Sequence, residues 1–176
     1  FKGFLTNQGI GINVDDDKQT LWDEIAKENN FISVLKEVYI DNSRFGNGLF
    51  KVALENNNVK IFSISPDCWI PVFNQGNIND VLGHILVYPL EILENGVKKK
   101  YKRVEKHHKG YLENEVYEAS NGTLGRKLEP DEMKELFNLE QVEDFSHLWG
   151  DFIVFPTKNA TESDSYFGES DYKRCK

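Results

Sequence analysis

Cysteine is scarce in this 176-residue chain: only Cys68 and Cys175. Two thiols cannot staple a disulfide scaffold or supply a zinc site built on cysteine pairs, so a reducing compartment is the default setting. No apolar run approaches the roughly 20 residues that a membrane-spanning helix needs. Nor is there the basic end, apolar stretch and small-residue cleavage site of a signal peptide. Positive charge is also short. Lys and Arg number 21 against 29 Asp and Glu, a formal net charge of −8. That argues against a dedicated nucleic-acid clamp, whose footprint is a basic face. Internal repeats and low-complexity segments are lacking too.

Chemical motifs are equally thin. Gly9-Ile10-Gly11 has no third glycine and no clear strand-to-helix setting for a dinucleotide. No G-x-S-x-G is present, and Cys68 between Asp67 and Trp69 reads as a small hydrophobe rather than a nucleophile. Asp15-Asp16-Asp17 lacks the alternating ligands, central glycine and distant Glu of a calcium loop. His107 and His108 are adjacent, so on a strand they point to opposite faces. His84 and His147 stand alone, without an i, i+4 partner. Glycoside hydrolysis needs two carboxylates across a cleft, and nothing in the pattern favours such a pair. Asn121-Gly122-Thr123 and Asn159-Ala160-Thr161 match the glycosylation pattern, which has meaning only in a secreted eukaryotic chain. The sequence therefore nominates no catalytic residue, no cofactor-binding residue, no metal ligand and no cofactor. The balance tips towards a structural or binding role.

What the chain does have is core material. Twelve Phe, seven Tyr and three Trp accompany an apolar fraction of 39%, a globular composition. Residues 1–14 read as an extended segment bent at its glycines. Asp15-Asp16-Asp17 then caps a helix with an apolar stripe at Leu21, Trp22 and Ile25. A second helix follows, with Phe31, Val34, Leu35, Val38 and Tyr39 at i, i+3, i+4, i+7 and i+8. Gly46 and Gly48 end it. Strands over Leu49–Leu54 and Val59–Ile64 flank an Asn56-Asn57-Asn58 turn. A third strand, Trp69–Phe73, carries Pro71 as an edge or bulge signal. Asn74–Asp80 reads as a turn and Val81–Ile92 as a longer strand bent near Pro89. Lys99–His107 and Tyr111–Glu118 pair around Lys109-Gly110. Residues 120–127 read as a loop, Pro130 opens a short helix to about Asn138, and Phe152–Phe155 is a last strand. Residues 157–165 read as a polar loop before a final helix capped by Ser170. The fold class is α+β, two N-terminal helices packed on a mainly antiparallel β meander. It is expected to be a single domain over residues 1–176. The missing initial Met and the helix just starting at Tyr172–Lys176 suggest a fragment of a longer chain.

Charge is segregated. Between Lys98 and Lys109 stand seven Lys or Arg and one Glu; between Asp131 and Asp151, seven Asp or Glu and one Lys. Two solvated faces are the plain reading. Complementary patches on neighbouring copies of an oligomer are the sharper one, and a DNA-binding ribbon is the third. On the sharper reading Lys98, Lys99, Lys100, Lys102 and Arg103 face Glu140, Glu143 and Asp144 of the next copy. Two other classes stay open: a carbohydrate- or surface-binding β-rich module presenting Trp and Tyr, and a small hydrolase whose site is not recognisable in the sequence.

Four segments in order resemble the portal proteins of tailed bacteriophages, of the siphophage kind found with Gram-positive hosts. They are Tyr39–Val52 (helix, glycine turn, strand ending Lys51-Val52), Ile64–Asn74 with its Pro-Val, Tyr101–Gly110 followed by Leu112–Tyr117, and Phe155-Pro156 with Asn159 and Gly168-Glu169-Ser170-Asp171. In the last, Thr157 and Lys158 separate Pro156 from Asn159, which the family usually keeps adjacent. The resemblance implies the wing region of a ring-shaped homo-oligomer at one capsid vertex, non-enzymatic, although a truncated piece could stay monomeric. It further implies as partners a packaging terminase, scaffold, capsid and head–tail connector proteins, and DNA in transient passage, with no membrane. The location implied is the virion, and the bacterial host cytoplasm during assembly. An acidic ring suits such passage, since tight phosphate contacts would stall DNA.

Overall fold

Asparagine punctuates the first part of the chain. The computed structural model describes residues 15–75, 77–94, 96–120, 123–159 and 166–172, so the extended segment expected over residues 1–14 lies outside the described residues. Helix α1 runs Asp16–Glu28, and Asp15 holds the N-cap position. Its carboxylate makes no capping bond and pairs instead with Lys18 at 3.3 Å. Asn29 ends α1, and Asn30, at φ 47°, reverses the chain into helix α2, Phe31–Phe45. Of the predicted stripe, Leu35 and Val38 are buried and Phe31, Val34 and Tyr39 half-buried, and Asn42 adds a buried polar residue one turn on. Gly46, at φ 86°, closes α2 with its N–H on the Asn42 carbonyl. A left-handed cap of this kind favours glycine because no Cβ opposes it.

The chain forms two compact units, Phe1–Asp67 with Ile153–Lys176, and Cys68–Phe152. In the first, strands β1 (Asn47–Glu55) and β2 (Asn58–Ile64) flank a two-residue turn. Asn56 and Asn57 hold φ 50° and 62° there, the conformation that matches strand twist in a tight hairpin. A late strand, β9 (Val154–Lys158), returns to the other side of β1, giving the order β2-β1-β9. Helix α2 comes so close to β1 that a Cβ on Gly48 would lie 2.3 Å from the Val38 carbonyl oxygen. Trp22, Phe31 and Phe50 stack in sequence, edge-on at 5.1 Å and then face-on at 6.2 Å. The Asn29 amide donates to the Val59 carbonyl and accepts from the Ile61 N–H, each at 2.9 Å. It thereby occupies one rung of the β2 edge, which would otherwise be open to pairing.

The second unit is a six-stranded antiparallel sheet with β3 (Trp69–Asn74), β4 (Asn77–Glu94), β5 (Val97–His108), β6 (Tyr111–Ser120) and β7 (Thr123–Lys127) in that order. The sixth strand, β8 (Val142–Asp144), pairs with the far end of β6. Helix α3 (Pro130–Phe137) starts with Pro130 at N1 and a reciprocal Glu129–Glu132 cap. Its Met133 joins Tyr101, Val116 and Leu128 in a buried cluster, with Phe137, Leu90 and Ile92 packed around it. The α+β class and the mainly antiparallel sheet are as expected.

Several boundaries differ. Residues 123–127 form β7 rather than a loop; Leu124 is half-exposed and Gly125 interrupts the pattern, so no alternation shows. Strand β4 starts at Asn77, within the expected turn. Its pairing with β5 is unbroken from His84 to Glu94, with no register shift at Pro89. That proline lies beyond the end of β3, where only β5 flanks the strand and proline is tolerated. The irregularity falls instead beside Pro71, between Val72 and Asn74 on edge strand β3. The last strand, β9, is Val154–Lys158 rather than Phe152–Phe155. It takes Pro156 on a sheet edge opposite Leu49. Ser170 accepts the Tyr172 N–H at 3.2 Å; the helix expected beyond it lies outside the described residues.

Candidate functional site

Side chains alternate along β5, so the basic strip divides. Lys98, Lys100, Lys102 and Lys106 project to one face. Tyr101, Arg103, Glu105 and His107 project to the other, where Tyr101, Glu105 and His107 are buried. The acidic stretch does not lie wholly apart from the basic one. Within the same chain Arg103 reaches Glu143 at 3.9 Å, donates to Asn114 at 2.7 and 3.0 Å, and pairs with Glu105 at 2.8 Å. Asn114 in turn donates to the Glu140 carbonyl and the Glu143 carboxylate, each at 2.8 Å. The Glu140 carboxylate accepts from Lys134 at 2.6 Å. Asp144 is exposed and turns its carboxylate onto the Ser146 N–H. Lys98 pairs with Glu91, and Lys100 reaches the same carboxylate at 3.9 Å. Lys98, Lys99 and Lys100 are exposed, and Lys102 is half-buried. Of the candidate contacts, the structure thus gathers Arg103, Glu140 and Glu143 into one chain's own network.

A buried polar row lies on that same inner face, and part of it escaped sequence reasoning. His84 pairs in register with His107 across β4 and β5. The Trp69 indole N–H donates to His84 Nδ1 at 3.1 Å, and Phe152 meets the ring edge-on at 4.9 Å. Burial, then the neighbouring His107, pushes His84 down to about 4. It is therefore neutral near pH 7, as an acceptor of the indole N–H must be. Next to it His107 Nε2 lies 2.9 Å from the Glu105 carboxylate, both side chains nearly inaccessible. The Tyr88 phenol is raised by burial and then by the Glu105 charge. Only knowledge of the strand register could have joined residues 84 and 107. On the outer face Glu115 is a second hub. Burial raises it, but bonds from Lys127, Lys106 and Tyr117 outweigh that and hold it at about 2. Among the described residues no group of three or more His, Cys, Asp or Glu could hold a metal ion. Of the tryptophans, Trp69 is buried, Trp22 packs on Phe31, and Trp149 is half-exposed.

The densest convergence of quoted motif residues is in the first unit. Asn159 follows β9, and its N–H donates to the Gly46 carbonyl at 2.8 Å. Its side-chain amide donates to the Asn42 carbonyl, the Glu169 carbonyl and the Asp171 carboxylate at 2.9, 3.0 and 3.1 Å. Asp171 also accepts from the Ser43 hydroxyl at 2.6 Å, and the Ser170 hydroxyl donates to the Ser43 carbonyl at 3.1 Å. Gly168 donates to Asn47 at 3.0 Å. The backbones of Gly46 and Gly168 touch: a Cβ on either would lie about 2 Å from the other's carbonyl oxygen (2.0 and 1.9 Å). Thr157 completes the knot, accepting from Asn42 and donating to the Gly48 carbonyl, each at 3.0 Å. The sequence pattern Gly46-Asn47-Gly48, Asn159 and Gly168-Glu169-Ser170-Asp171 is therefore one clamp. It pins the segment 166–172 to the end of α2. Asn159, committed to these bonds, is a structural residue rather than a glycan acceptor.

Over residues 1–176 the chain matches the family model described as phage portal protein, SPP1 Gp6-like. No curated protein matches it.

Proposed function

The chain belongs to the phage portal protein family, and from that premise we propose that it is a non-enzymatic part of a homo-oligomeric portal ring in the virion. In that ring it serves capsid assembly, DNA packaging and DNA ejection. The observation that carries the reading is the family match over residues 1–176, in a chain whose quoted motifs converge on the Asn159 clamp. A clamp of backbone contacts and short polar bonds does no chemistry; it fixes where a segment leaves a folded unit. Within the ring the chain forms the wing-like region of a longer protein, assembled in the host cytoplasm. Its working partners are the packaging terminase, scaffold, capsid and head–tail connector proteins. The net charge of −8 suits passing DNA without gripping it.

Copies in a closed ring meet head to tail, and the basic strip of one is proposed to meet acidic residues of the next. Arg103 and Glu143 join one network within the chain, and Lys98 and Lys100 pair with Glu91; the contact proposed between copies is of Lys98, Lys99, Lys100 and Lys102 with Asp144. Reversing the charge at Lys99, Lys100 and Lys102 in the protein at its natural full length should impair ring assembly, read by mass photometry at low salt. Unchanged rings would sink this contact. For the role itself, a phage carrying a premature stop within this chain should build heads without DNA, restored by the protein supplied in trans. DNA-filled heads without it would overturn the reading.

A further inference from the structure

Strand β4 outruns its neighbours. Strand β3 stops at the partner of Leu86, and the last β5 residue paired with β6 is Tyr101. Glu91–Glu94 and Val97–Lys100 therefore have only each other as strand partners. These four rungs make a ribbon about 13 Å long. A two-stranded ribbon is marginal in water unless something covers it; one face is covered within the chain, where Ile92 packs on the Met133 cluster, yet Leu93 and Val97 at its tip are 75% and 61% exposed. Lys98, Lys99, Lys100 and Lys102 outnumber the two acidic residues of the same stretch, Glu91 and Glu94.

The other end of β5 carries the opposite character. Beyond the Lys109-Gly110 turn, roughly 40 Å away along the strand, the segment 144–152 folds back on the sheet. Phe145 donates to the Gly110 carbonyl, and Gly110 donates to the Asp151 carbonyl. The amides of Leu148 and Trp149 both turn onto the Phe145 carbonyl, and the Trp149 indole N–H is tied to the Phe152 carbonyl. This fixes a rigid corner on which Leu148 and Trp149 stand 60% and 52% exposed. From Glu140 to Asp151 there are four carboxylates and no Lys or Arg.

We propose that the β4–β5 arm of one copy docks on the 144–152 corner of a second copy of this chain. Leu93 covers Leu148 and Trp149, and Lys98 and Lys100, which share its face of the ribbon, face Asp144. The occupant is a second copy because the two surfaces complement each other in charge and both present apolar residues. They also sit at opposite ends of one strand, so the contact is heterologous and repeats from copy to copy. The proposal rests on the ring reading and names the partner surface within it.

The test uses the protein at its natural full length. Leu93→Cys and Leu148→Cys combined should give covalent multimers under mild oxidation, and neither single variant should. Lys98→Glu with Lys100→Glu should cut the ring fraction at least tenfold at low salt, and Asp144→Lys added to it should restore rings. Rings that form without the cross-link, and ignore the charge reversal, would overturn the contact and leave the ring reading standing. Absence of rings from the unaltered protein would overturn the ring reading and the contact with it.

Discussion

At the scale of single residues, the inner face of the second unit couples stability to charge. Arg103 is the cation beside the buried Glu105 carboxylate, 2.8 Å away. Arg103→Met removes that cation while His107 stays 2.9 Å from the carboxylate, a change that costs about 3–5 kcal/mol for a buried pair. For a chain of this size that is a fall in Tm of roughly 10 °C, measurable by calorimetry. Adding Glu105→Leu should recover much of the loss, because the stranded charge is gone. His84 predicts a pH dependence. Its folded value of about 4 lies below the ordinary 6.5, so between those values the unfolded chain binds more protons. Stability is full above about pH 6.5 and falls as pH drops towards 4, by up to about 3 kcal/mol. His84→Gln should flatten urea midpoints across that window. Glu115, held at about 2, acts lower. Its contribution is present above about pH 4.5 and is lost as pH falls towards 2, and Glu115→Gln should remove that slope alone.

At the scale of elements, the clamp makes the sharpest demand. Gly168→Ala would place a methyl 1.9 Å from the Gly46 oxygen and 2.7 Å from the Asn159 nitrogen. Both are backbone atoms, so the contact cannot relax by a rotamer change. The 166–172 segment should detach, seen as faster amide exchange and new protease cuts there while the second unit keeps its protection. Asn159→Ala removes an amide whose two N–H groups are shared among three acceptors, at about 0.5–1.5 kcal/mol per hydrogen bond, and should loosen the same segment more mildly. The elements with a physical signature were readable beforehand: α2 from its 3.6-residue stripe, β1–β2 from the asparagine turn, α3 from Pro130. Strands β7 and β8 were not. The three residues of β8 are all exposed, so no apolar alternation marks them. Asn42 continues the α2 stripe as a polar residue, and its burial is explained only by Thr157, 115 positions away. The clamp was legible as motif residues in order but not as a knot, because its bonds join residues 42–48 to 157–171.

At the scale of the whole molecule, the two charged stretches show why composition alone misplaces a surface. Read along the sequence they look like separate patches. In the fold, Arg103, Asn114, Glu140 and Glu143 are bonded to one another within one chain, although both glutamates stay exposed. The central claim is that this family member works as a ring. Negative-stain electron microscopy of the protein at its natural full length tests it most directly. The account predicts closed rings with a central hole under assembly-permissive salt and concentration. Small globular particles only, under those same conditions, would contradict it.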